Sequence, residues 1–513
     1  MGRSQGSDEK PKSTIDDTEA QTGTVEEIHQ GFWAKTRTWA GKIGVEEFGI
    51  EPIPSGMRTN QHPRELFTFF FAANCNMATL ATGYLATTTY ALGWWDSFLC
   101  ILFFNLLGGL LPGLAAVLGP KLGLRTMIIP RYFFGWWPAK IFAILNIINQ
   151  LGWGVVNGIS GAVVLYDVGD GRMPLSVSVL VLGLVAMILG LLGYRVIHIY
   201  DKYSWPVFLV SFIIVAGFGA RHFANVPMGS GALEAADVLS FSTAIIGFQA
   251  AWMPLAADYG VYMKENISGW TSFGWAYGGL VSSQVLMELL GAAIGTLSLS
   301  DDPLFTDAYE SGGIGGLIGA VFKGMGSGVE GFGKFLEVLL ALSTVAVIIT
   351  NVYSVGLAVQ MVSTKLLFMP RFAWSLLGSV VFLACAIAGR EYLSEVMEDF
   401  LLVCAYWIVP FGAVFLTEQL IFRRGYAYDI TAWSDSTRLP YGIAASVTWI
   451  IGTVLSILCM SQTWWIGPIA AAIPGSPYGT DISWILAFSV CTIIYIPLRR
   501  WEQKSIYRGQ QSY

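Results

Sequence analysis

Long apolar runs separated by short polar stretches follow one another along the chain. A helix needs about 20 apolar residues to cross the hydrocarbon core of a bilayer, and these runs are of that length. The pattern predicts twelve membrane-spanning helices, called spans 1 to 12, at about residues 66–90, 95–119, 138–166, 174–194, 204–221, 238–258, 270–297, 334–362, 371–389, 397–422, 441–460 and 481–499. The sequence therefore predicts an all-α, polytopic membrane protein embedded in a lipid bilayer.

The polar and charged residues divide the chain into four regions. Residues 1–60 combine many charged with few apolar side chains, which predicts a mostly disordered tail. A core of ten spans is predicted over residues 61–422, a further pair of spans over 423–500, and a short second tail over 501–513. Most of the 29 lysines and arginines fall in segments on the side of the N-terminus. Because basic residues mark the cytoplasmic side, both tails are predicted to be cytoplasmic.

Composition excludes several classes of protein. Hydrophobic residues make up 54% of the chain and charged residues only 12%, against about 25% charged residues in a typical soluble domain. The sequence has no basic stripe, so nucleic acid is not expected as a partner. The histidines and cysteines have no metal-ligand spacing, and no catalytic cluster stands out. We therefore expect no metal, no cofactor and no enzyme activity.

The connection between spans 2 and 3 has an unusual composition. It reads "GPKLGLRTMIIPRYFFGWWPAK" over residues 119–140 and mixes basic with aromatic side chains. These two kinds of residue together are typical of the headgroup layer of a membrane. The composition predicts a short amphipathic segment that lies on the cytoplasmic leaflet. The alternative, ordinary basic flanks of the two spans, explains the charges but not the aromatic cluster.

Polar residues and helix breakers interrupt two of the spans. Span 1 contains Asn74, Asn76 and Thr79 within six residues, and span 6 contains Gln249 followed by Pro254. A proline inside a helix removes a backbone hydrogen bond. Within a bilayer, the freed polar groups are tolerated only where they line a cavity or meet other protein. Both spans are therefore predicted to be broken helices.

The two broken spans hold equivalent positions if the core consists of two inverted repeats of five spans, at about residues 66–221 and 238–422. Paired broken helices in two repeats are typical of the central binding site of secondary transporters. Glycine and proline are also common in membrane helices generally, which is the alternative explanation. The pattern therefore favours a transporter without excluding that alternative.

Two further spans carry matching polar and aromatic residues. In span 3, Trp153 and Asn157 are four residues apart and share a helix face, and the equivalent span 8 carries a central Asn351. Span 6 adds Trp252. Tryptophan rings stack on flat aromatic ligands, and amides donate and accept hydrogen bonds without adding charge. These residues predict a site for a small, neutral, planar molecule such as a nucleobase, although buried Asn can also hold helices together and buried Trp can fill space.

Several stretches of the sequence resemble one family of membrane proteins. They run in the same order and on the same spans, from about residue 60 to residue 500: "AANCNMAT" in span 1, "LGPKLGLRTMIIPRYFFG" after span 2, "LNIINQLGWGVVN" in span 3, "GYRVIHIYDKYSW" between spans 4 and 5, "ADYGVYMKEN" after span 6 and "TNVYSVGL" in span 8. Through these stretches the chain resembles the fungal purine–cytosine permeases of the nucleobase–cation symport family.

The resemblance implies both a fold and a function. It implies a LeuT-like fold of ten core helices in two inverted repeats with two extra helices. It also implies proton-driven uptake of adenine, guanine, hypoxanthine or cytosine at the plasma membrane. In this family the substrate ring is typically held between a span 3 tryptophan, matched by Trp153, and a span 6 aromatic residue, for which we take Trp252. The other residues expected at the substrate are Thr79, Asn157, Gln249 and Asn351.

The sequence departs from the family pattern at two places in span 8. Many fungal relatives have proline directly before the span 8 asparagine, where this chain has Thr350, so the preferred base stays open. Sodium-coupled relatives place two adjacent hydroxyls about one and a half turns before that asparagine. Here these positions are Val345 and Ala346, which favours a proton over sodium as the coupling ion.

A proton carrier needs an ionisable group within the bilayer. Glu288 in span 7 is the most deeply placed acid, whereas Glu337 and Glu418 lie nearer helix ends and Asp258 lies at the end of span 6. Glu288 is therefore the candidate for proton coupling. The alternative is a structural glutamate that is hydrogen-bonded to a neighbour.

Nucleobase import has two alternatives. A proton-coupled transporter of another small heteroaromatic compound, such as pyridoxine or a nucleoside, has the same requirements for its site. A receptor or an integral membrane enzyme would require a cluster of His, Asp or Cys at a membrane face, which the sequence lacks.

Overall fold

The computed structural model describes residues 49–191, 194–475 and 479–507. Apart from two isolated backbone bridges, no β-structure occurs in these residues, so the predicted all-α class is confirmed. The α-helices, numbered α1 to α19, are Arg64–Asn74, Met77–Thr88, Trp94–Gly108, Leu110–Ala116, Leu118–Leu122, Arg131–Phe134, Trp136–Val168, Leu175–Leu191, Tyr194–Gly219, Ala232–Ala250, Gly269–Gly295, Pro303–Ala320, Ser327–Leu342, Val345–Val362, Arg371–Gly389, Leu393–Thr417, Ile443–Cys459, Pro468–Ala472 and Ser483–Ser505.

Within the described residues, eight helical segments are long and apolar enough to cross a membrane. Three shorter apolar helices, Leu175–Gly190, Tyr203–Gly219 and Ile443–Cys459, fall on predicted spans 4, 5 and 11. The predicted number of twelve spans stays a prediction, because length and composition alone do not assign the shorter helices to the membrane.

The predicted tails are described only in part. Residues 1–48 and 508–513 lie outside the described residues. The segment of residues 49–60 packs on the protein, because Ile50 and Ile53 are buried and the Arg58 guanidinium donates to the carbonyls of Ile53 and Leu122. At the other end, α19 continues to Ser505, beyond the predicted start of the second tail.

Span 1 is broken into α1 and α2 at Cys75 and Asn76. Asn76 has extended backbone angles, and its side-chain oxygen accepts from the backbone N–H groups of Ala78 at 2.8 Å and Thr79 at 3.1 Å. Asparagine is among the best residues for capping the first turn of a helix in this way. The polar residue that interrupts the apolar run therefore starts the second half of the span.

Span 6 is broken in a different way. The helix α10 ends at Ala250, and the chain continues through Trp252 into a 3₁₀ helix, Met253–Tyr259, with Pro254 in its first turn. Proline fixes its backbone and lacks an N–H group, so it is suited to the start of a helical segment. Both predicted breaks are therefore confirmed.

Four extensive helix–helix contacts surround the two breaks. Helix α11 packs against both α1 and α2, α16 packs against α10, and α14 packs against α7. The contact of α2 with α11 is very close. A side-chain carbon added at Gly291 of α11 would lie 1.8 Å from the Leu80 carbonyl oxygen, and one at Gly83 of α2 would lie 1.8 Å from that of Glu288. Small residues that let helix backbones approach are typical of packing in membranes.

Replacing Gly291 by alanine is expected to destabilise the protein by about 1–3 kcal/mol, because the added methyl group forces two backbones apart. The measurement is the melting temperature of the purified protein in detergent. Gly274 lies on the same helix and has nothing within 4 Å of an added carbon, so Gly274→Ala is the matched control. Equal melting temperatures for the two variants would contradict the packing described here.

The connection between spans 2 and 3 is largely buried within the protein, so the predicted amphipathic surface segment is wrong. From Leu122 to Phe134 the side chains are buried in the protein. The guanidinium of Arg131 donates to the backbone carbonyls of Trp433 at 2.9 Å and Met361 at 3.1 Å. Arg131 therefore binds the backbone of neighbouring segments rather than lipid headgroups. Within this connection only Trp137 is largely exposed, at 73%.

A buried ion cluster joins the last helix to the core. Glu418, just after α16, accepts from Arg423 at 2.9 Å and from Arg499 of α19 at 2.9 and 3.1 Å. The Tyr495 hydroxyl donates to Glu418 at 2.8 Å, and Arg499 also pairs with Glu502 at 2.9 Å. Helix α19 packs against α16 and α17, so the cluster holds the terminal pair of helices to the core.

Candidate substrate site

An internal cavity lies where the two broken helices meet α7 and α14. Its lining residues come from both breaks and from these two helices: Ala73, Asn74, Asn76, Ala78, Thr79, Gln150, Trp153, Asn157, Phe248, Ala251, Trp252, Leu255, Val347 and Asn351. Five of the six residues predicted at the substrate are therefore brought together, and Gln249 is the exception. None of the lining residues carries a formal charge.

The cavity is contracted. The volume open to the centre of a water molecule is ≈ 20 Å³, which holds about one water molecule. Trp153 and Trp252 are only 8% and 9% exposed. A molecule of the size of a nucleobase therefore fits only after the walls of the cavity have moved apart.

Four polar atoms of the lining residues are buried and have no hydrogen-bond partner. Two are donors, the indole Nε1 of Trp153 and the amide Nδ2 of Asn351. The other two are acceptors, the amide oxygens of Gln150 and Asn157. Because an unpaired buried polar group costs about 1–3 kcal/mol, such groups are rare unless a ligand or water pairs with them.

The aromatic walls are supported by other rings. Trp153 makes edge-to-face contacts with Phe248 at 4.8 Å and Phe400 at 5.3 Å between ring centroids. Trp252 makes edge-to-face contacts with Phe70 at 5.7 Å and Phe69 at 6.3 Å. These geometries are favourable for aromatic pairs and hold the indole planes in fixed orientations.

Gln249 points away from the cavity. Phe248 and Trp252 lie one helical turn apart and share the cavity face, whereas Gln249 is rotated from that face by about 100°. Its Nε2 donates to the side-chain oxygen of Asn105 at 2.8 Å. Asn105 in turn donates to Oε2 of Glu288 at 2.5 Å. Gln249 therefore belongs to a polar network behind the cavity wall.

A second set of hydrogen bonds reaches the cavity through Asn74. The Asn74 oxygen accepts from the indole N–H of Trp252 at 3.0 Å and from Nε2 of Gln284 at 3.1 Å. Gln284 lies one turn before Glu288 on α11. A hydrogen-bonded path thus connects a cavity wall with the helix that carries Glu288.

Glu288 is fully buried and is not paired with a cation in any ion pair found among the described residues. Its Oε1 has no partner, and the same is true of the side-chain oxygens of Gln249 and Gln284. All three unpaired atoms are acceptors. The polar side chains around Glu288 therefore offer more acceptors than there are donors to pair with them.

The other acids considered from the sequence have different surroundings. Glu418 is held by two arginines in the ion cluster, and Asp258 accepts from the backbone N–H of Thr126 at 2.6 Å and from its hydroxyl at 3.0 Å. Glu337 is 2% exposed and has one unpaired oxygen, and it lies outside the cavity lining and the network around Glu288. Among these acids, Glu288 is the one linked, through Asn105, to Gln249 of the helix that carries the lining residue Phe248.

Two lining residues with aromatic or amide side chains were not singled out from the sequence. Gln150 lies three residues before Trp153, and Phe248 lies four residues before Trp252. Both spacings put the two residues on one helix face, so helical periodicity around each tryptophan is the signal that identifies them.

One solved structure shows the same fold. It is Mhp1, described as a nucleobase–cation–symport-1 family transporter in a closed conformation with bromovinylhydantoin bound. The TM-score is 0.68 at 15% sequence identity, and the alignment covers 89% of this chain and 96% of Mhp1. This likeness confirms the predicted LeuT-like fold.

Sequence comparisons give the family. Residues 52–486 match the family described as "Permease for cytosine/purines, uracil, thiamine, allantoin". The purine–cytosine permease fcyB of Emericella nidulans is 36% identical over 475 residues, 92% of each chain. The purine–cytosine permease FCY21 of Saccharomyces cerevisiae is 35% identical over 508 residues, 98% of this chain and 95% of the relative. The resemblance stated from the motifs is thus confirmed, and the chain belongs to this permease family, whose members are membrane transport proteins rather than enzymes.

Proposed function

We propose that this permease imports purine bases, cytosine or both by proton symport through alternating access. The observation that carries the proposal is the set of four unpaired polar atoms in a cavity walled by Trp153 and Trp252. We further propose that it acts at the plasma membrane with both termini in the cytoplasm, as the distribution of basic residues predicts.

The chemistry of the cavity matches that of a nucleobase. Adenine, guanine, hypoxanthine and cytosine are flat and neutral, and each carries both N–H donors and acceptor atoms. The uncharged lining favours a neutral ligand, and two donors with two acceptors favour a ligand that offers both kinds of group. A site with buried polar groups rejects ligands that leave them unpaired. Indole rings supply the stacking surface.

Alternating access is consistent with the contracted cavity. The core, residues 61–422, is proposed to move as two repeats, about 66–221 and 238–422, around the site at their broken helices. The terminal pair, 423–500, stays attached to α16 through the ion cluster. Binding of the base shifts the states only through its different affinity for each of them.

We propose a proton as the coupling ion and Glu288 as its carrier. The network around Glu288 has three buried acceptors without donors, and a protonated carboxyl would supply one donor. The span 8 positions Val345 and Ala346 bring no side-chain oxygen, and the nearby Ser343 hydroxyl already donates to Leu340 and accepts from the N–H of Met77.

Uptake in cells that lack their own base transporters tests the function. Cells that express the protein are expected to take up labelled adenine or cytosine saturably, and a proton ionophore is expected to abolish accumulation. Unlabelled bases should compete, whereas pyridoxine and nucleosides should not. Uptake of pyridoxine or a nucleoside that no base inhibits would replace the proposal with the alternative substrate class.

A further inference from the structure

Gln150 is a buried amide that lies close to the stacking residue Trp153. Helix α7 places it one turn before Trp153 and two turns before Asn157, so that the three side chains lie on one face. Gln150 is 1% exposed and lines the cavity, and its Oε1 has no hydrogen-bond partner. This oxygen is therefore available to accept a hydrogen bond from a ligand.

The orientation of this amide is fixed by another residue of the same helix. Nε2 of Gln150 donates to the side-chain oxygen of Asn146 at 3.1 Å, and Asn146 is itself buried. Asn157 is held in a similar way, because its Nδ2 donates to the carbonyl of Trp153 at 2.9 Å. With both NH₂ groups engaged by the helix, Gln150 and Asn157 have their acceptor oxygens left over for a ligand.

The two amide residues are attached to the helix on opposite sides of Trp153. Gln150 comes three residues before the tryptophan and Asn157 four residues after it, about 4.5 Å and 6 Å along the helix axis. A flat ring stacked on the indole therefore meets one acceptor at each of two different edges. Each acceptor can pair only with an N–H or O–H group.

We propose that Gln150 reads the substrate by accepting a hydrogen bond from an N–H group of the base, and that Asn146 is the positioning residue that keeps the oxygen available. This inference rests on the proposed function, because it takes a nucleobase as the ligand. It adds a requirement for that ligand: the edge nearer the N-terminal end of α7 must carry a donor. Recognition then depends on where N–H groups lie around the ring.

Competition by bases that each lack one N–H group tests the proposal. Purine lacks the exocyclic amino group of adenine, and 9-methyladenine lacks the ring N9–H. Inhibition constants against labelled adenine uptake do not depend on the amount of protein at the membrane. In the unaltered protein, loss of a paired N–H is expected to weaken inhibition roughly 5- to 20-fold.

Gln150→Met keeps the length of the side chain and removes the acceptor. The affinity of this variant for adenine is expected to fall by a similar factor. Either purine or 9-methyladenine should then inhibit as well as adenine does, because the N–H group that it lacks has already lost its partner. Asn146→Ala should show the same pattern as Gln150→Met in a weaker form. Asn146→Asp, which keeps an acceptor oxygen at that position, should behave like the unaltered protein. If Gln150→Met does not reach the membrane, Gln150→Asn withdraws the oxygen and must show the same pattern.

Asn149→Ala is the matched control. Asn149 is a neighbouring buried amide of α7 that is absent from the cavity lining and is engaged by Ala251 and Cys404. In Asn149→Ala, purine and 9-methyladenine should inhibit adenine uptake more weakly than adenine does, by the same factors as in the unaltered protein. The same unchanged factors in Gln150→Met would overturn the role of Gln150. If the unaltered protein imports no base at all, the proposed function fails instead, so the two failures are distinguishable.

Discussion

Replacement of Asn351 by alanine is expected to lower the initial rate of base uptake at subsaturating substrate by roughly 10- to 100-fold. The amide Nδ2 of Asn351 is buried and unpaired in the cavity, so we infer that it pairs with an acceptor of the base. Truncation leaves that acceptor buried without a donor, which costs about 1–3 kcal/mol. Asn157→Ala should lower uptake by a similar factor for the opposite reason, because it removes an acceptor.

The measurement is uptake normalised to the amount of protein at the plasma membrane. Thr350→Val is the matched control, because Thr350 is the direct neighbour of Asn351, is absent from the cavity lining, and already donates its hydroxyl to the carbonyl of Ala346 at 3.1 Å. The control should keep nearly all of the uptake. Normal affinity for every base in both asparagine variants would remove these residues from the site.

Replacement of Glu288 by glutamine is expected to uncouple transport from the proton gradient. Glutamine has nearly the shape of a protonated glutamate and offers a donor at all pH values, so the network keeps its hydrogen bonds but gains and loses no proton. In the unaltered protein, uptake should fall as the external pH rises, because fewer carriers are protonated. In Glu288→Gln, uptake should be independent of pH, and cells should reach equilibrium with the medium without accumulating the base.

Glu337→Gln provides the control for this substitution. Glu337 is also buried and has an unpaired oxygen, but it does not belong to the network behind the cavity. Its variant should still accumulate bases and keep the pH dependence. If Glu288→Gln accumulates base like the unaltered protein, Glu288 is a structural residue, and loss of accumulation in Glu337→Gln would identify the carrier as Glu337.

The breaks in spans 1 and 6 were predictable because each follows from local chemistry. Asn76 can cap a helix and Pro254 can start one, and both properties belong to the residue itself. The spacing of Trp153 and Asn157 was readable for a similar reason, since helical periodicity fixes which residues share a face. Local sequence patterns therefore predicted most of the chosen residues that line the cavity.

Features that depend on distant segments were not predictable. Gln249 was expected at the substrate, but its amide reaches Asn105, which lies 144 positions earlier in the chain. Arg131 was expected among lipid headgroups, yet it binds carbonyls of segments more than 200 positions later. A segment rich in basic and aromatic residues can lie on a membrane surface or be buried between helices. Its composition is the same in both cases, so only the tertiary contacts distinguish the two locations.

The acids show the same limit. Depth within a predicted span singled out Glu288 correctly as a buried residue, but gave no sign of its partner Asn105 or of the donor deficit around it. Glu418 was ranked lower for its position near a helix end, and the reason it is unsuited to carry a proton is its pairing with Arg423 and Arg499. Charge compensation between elements is a property of the folded protein.

The central claim is that a base occupies the space between Trp153 and Trp252 and is held by the amides around them. An experimental structure of the protein with adenine bound tests it most directly. The account predicts an adenine ring stacked about 3.5–4 Å from the Trp153 indole, with the amides of Asn157 and Asn351 within hydrogen-bond distance of its edges. Adenine bound elsewhere, or a Trp153 indole that faces lipid, would contradict it.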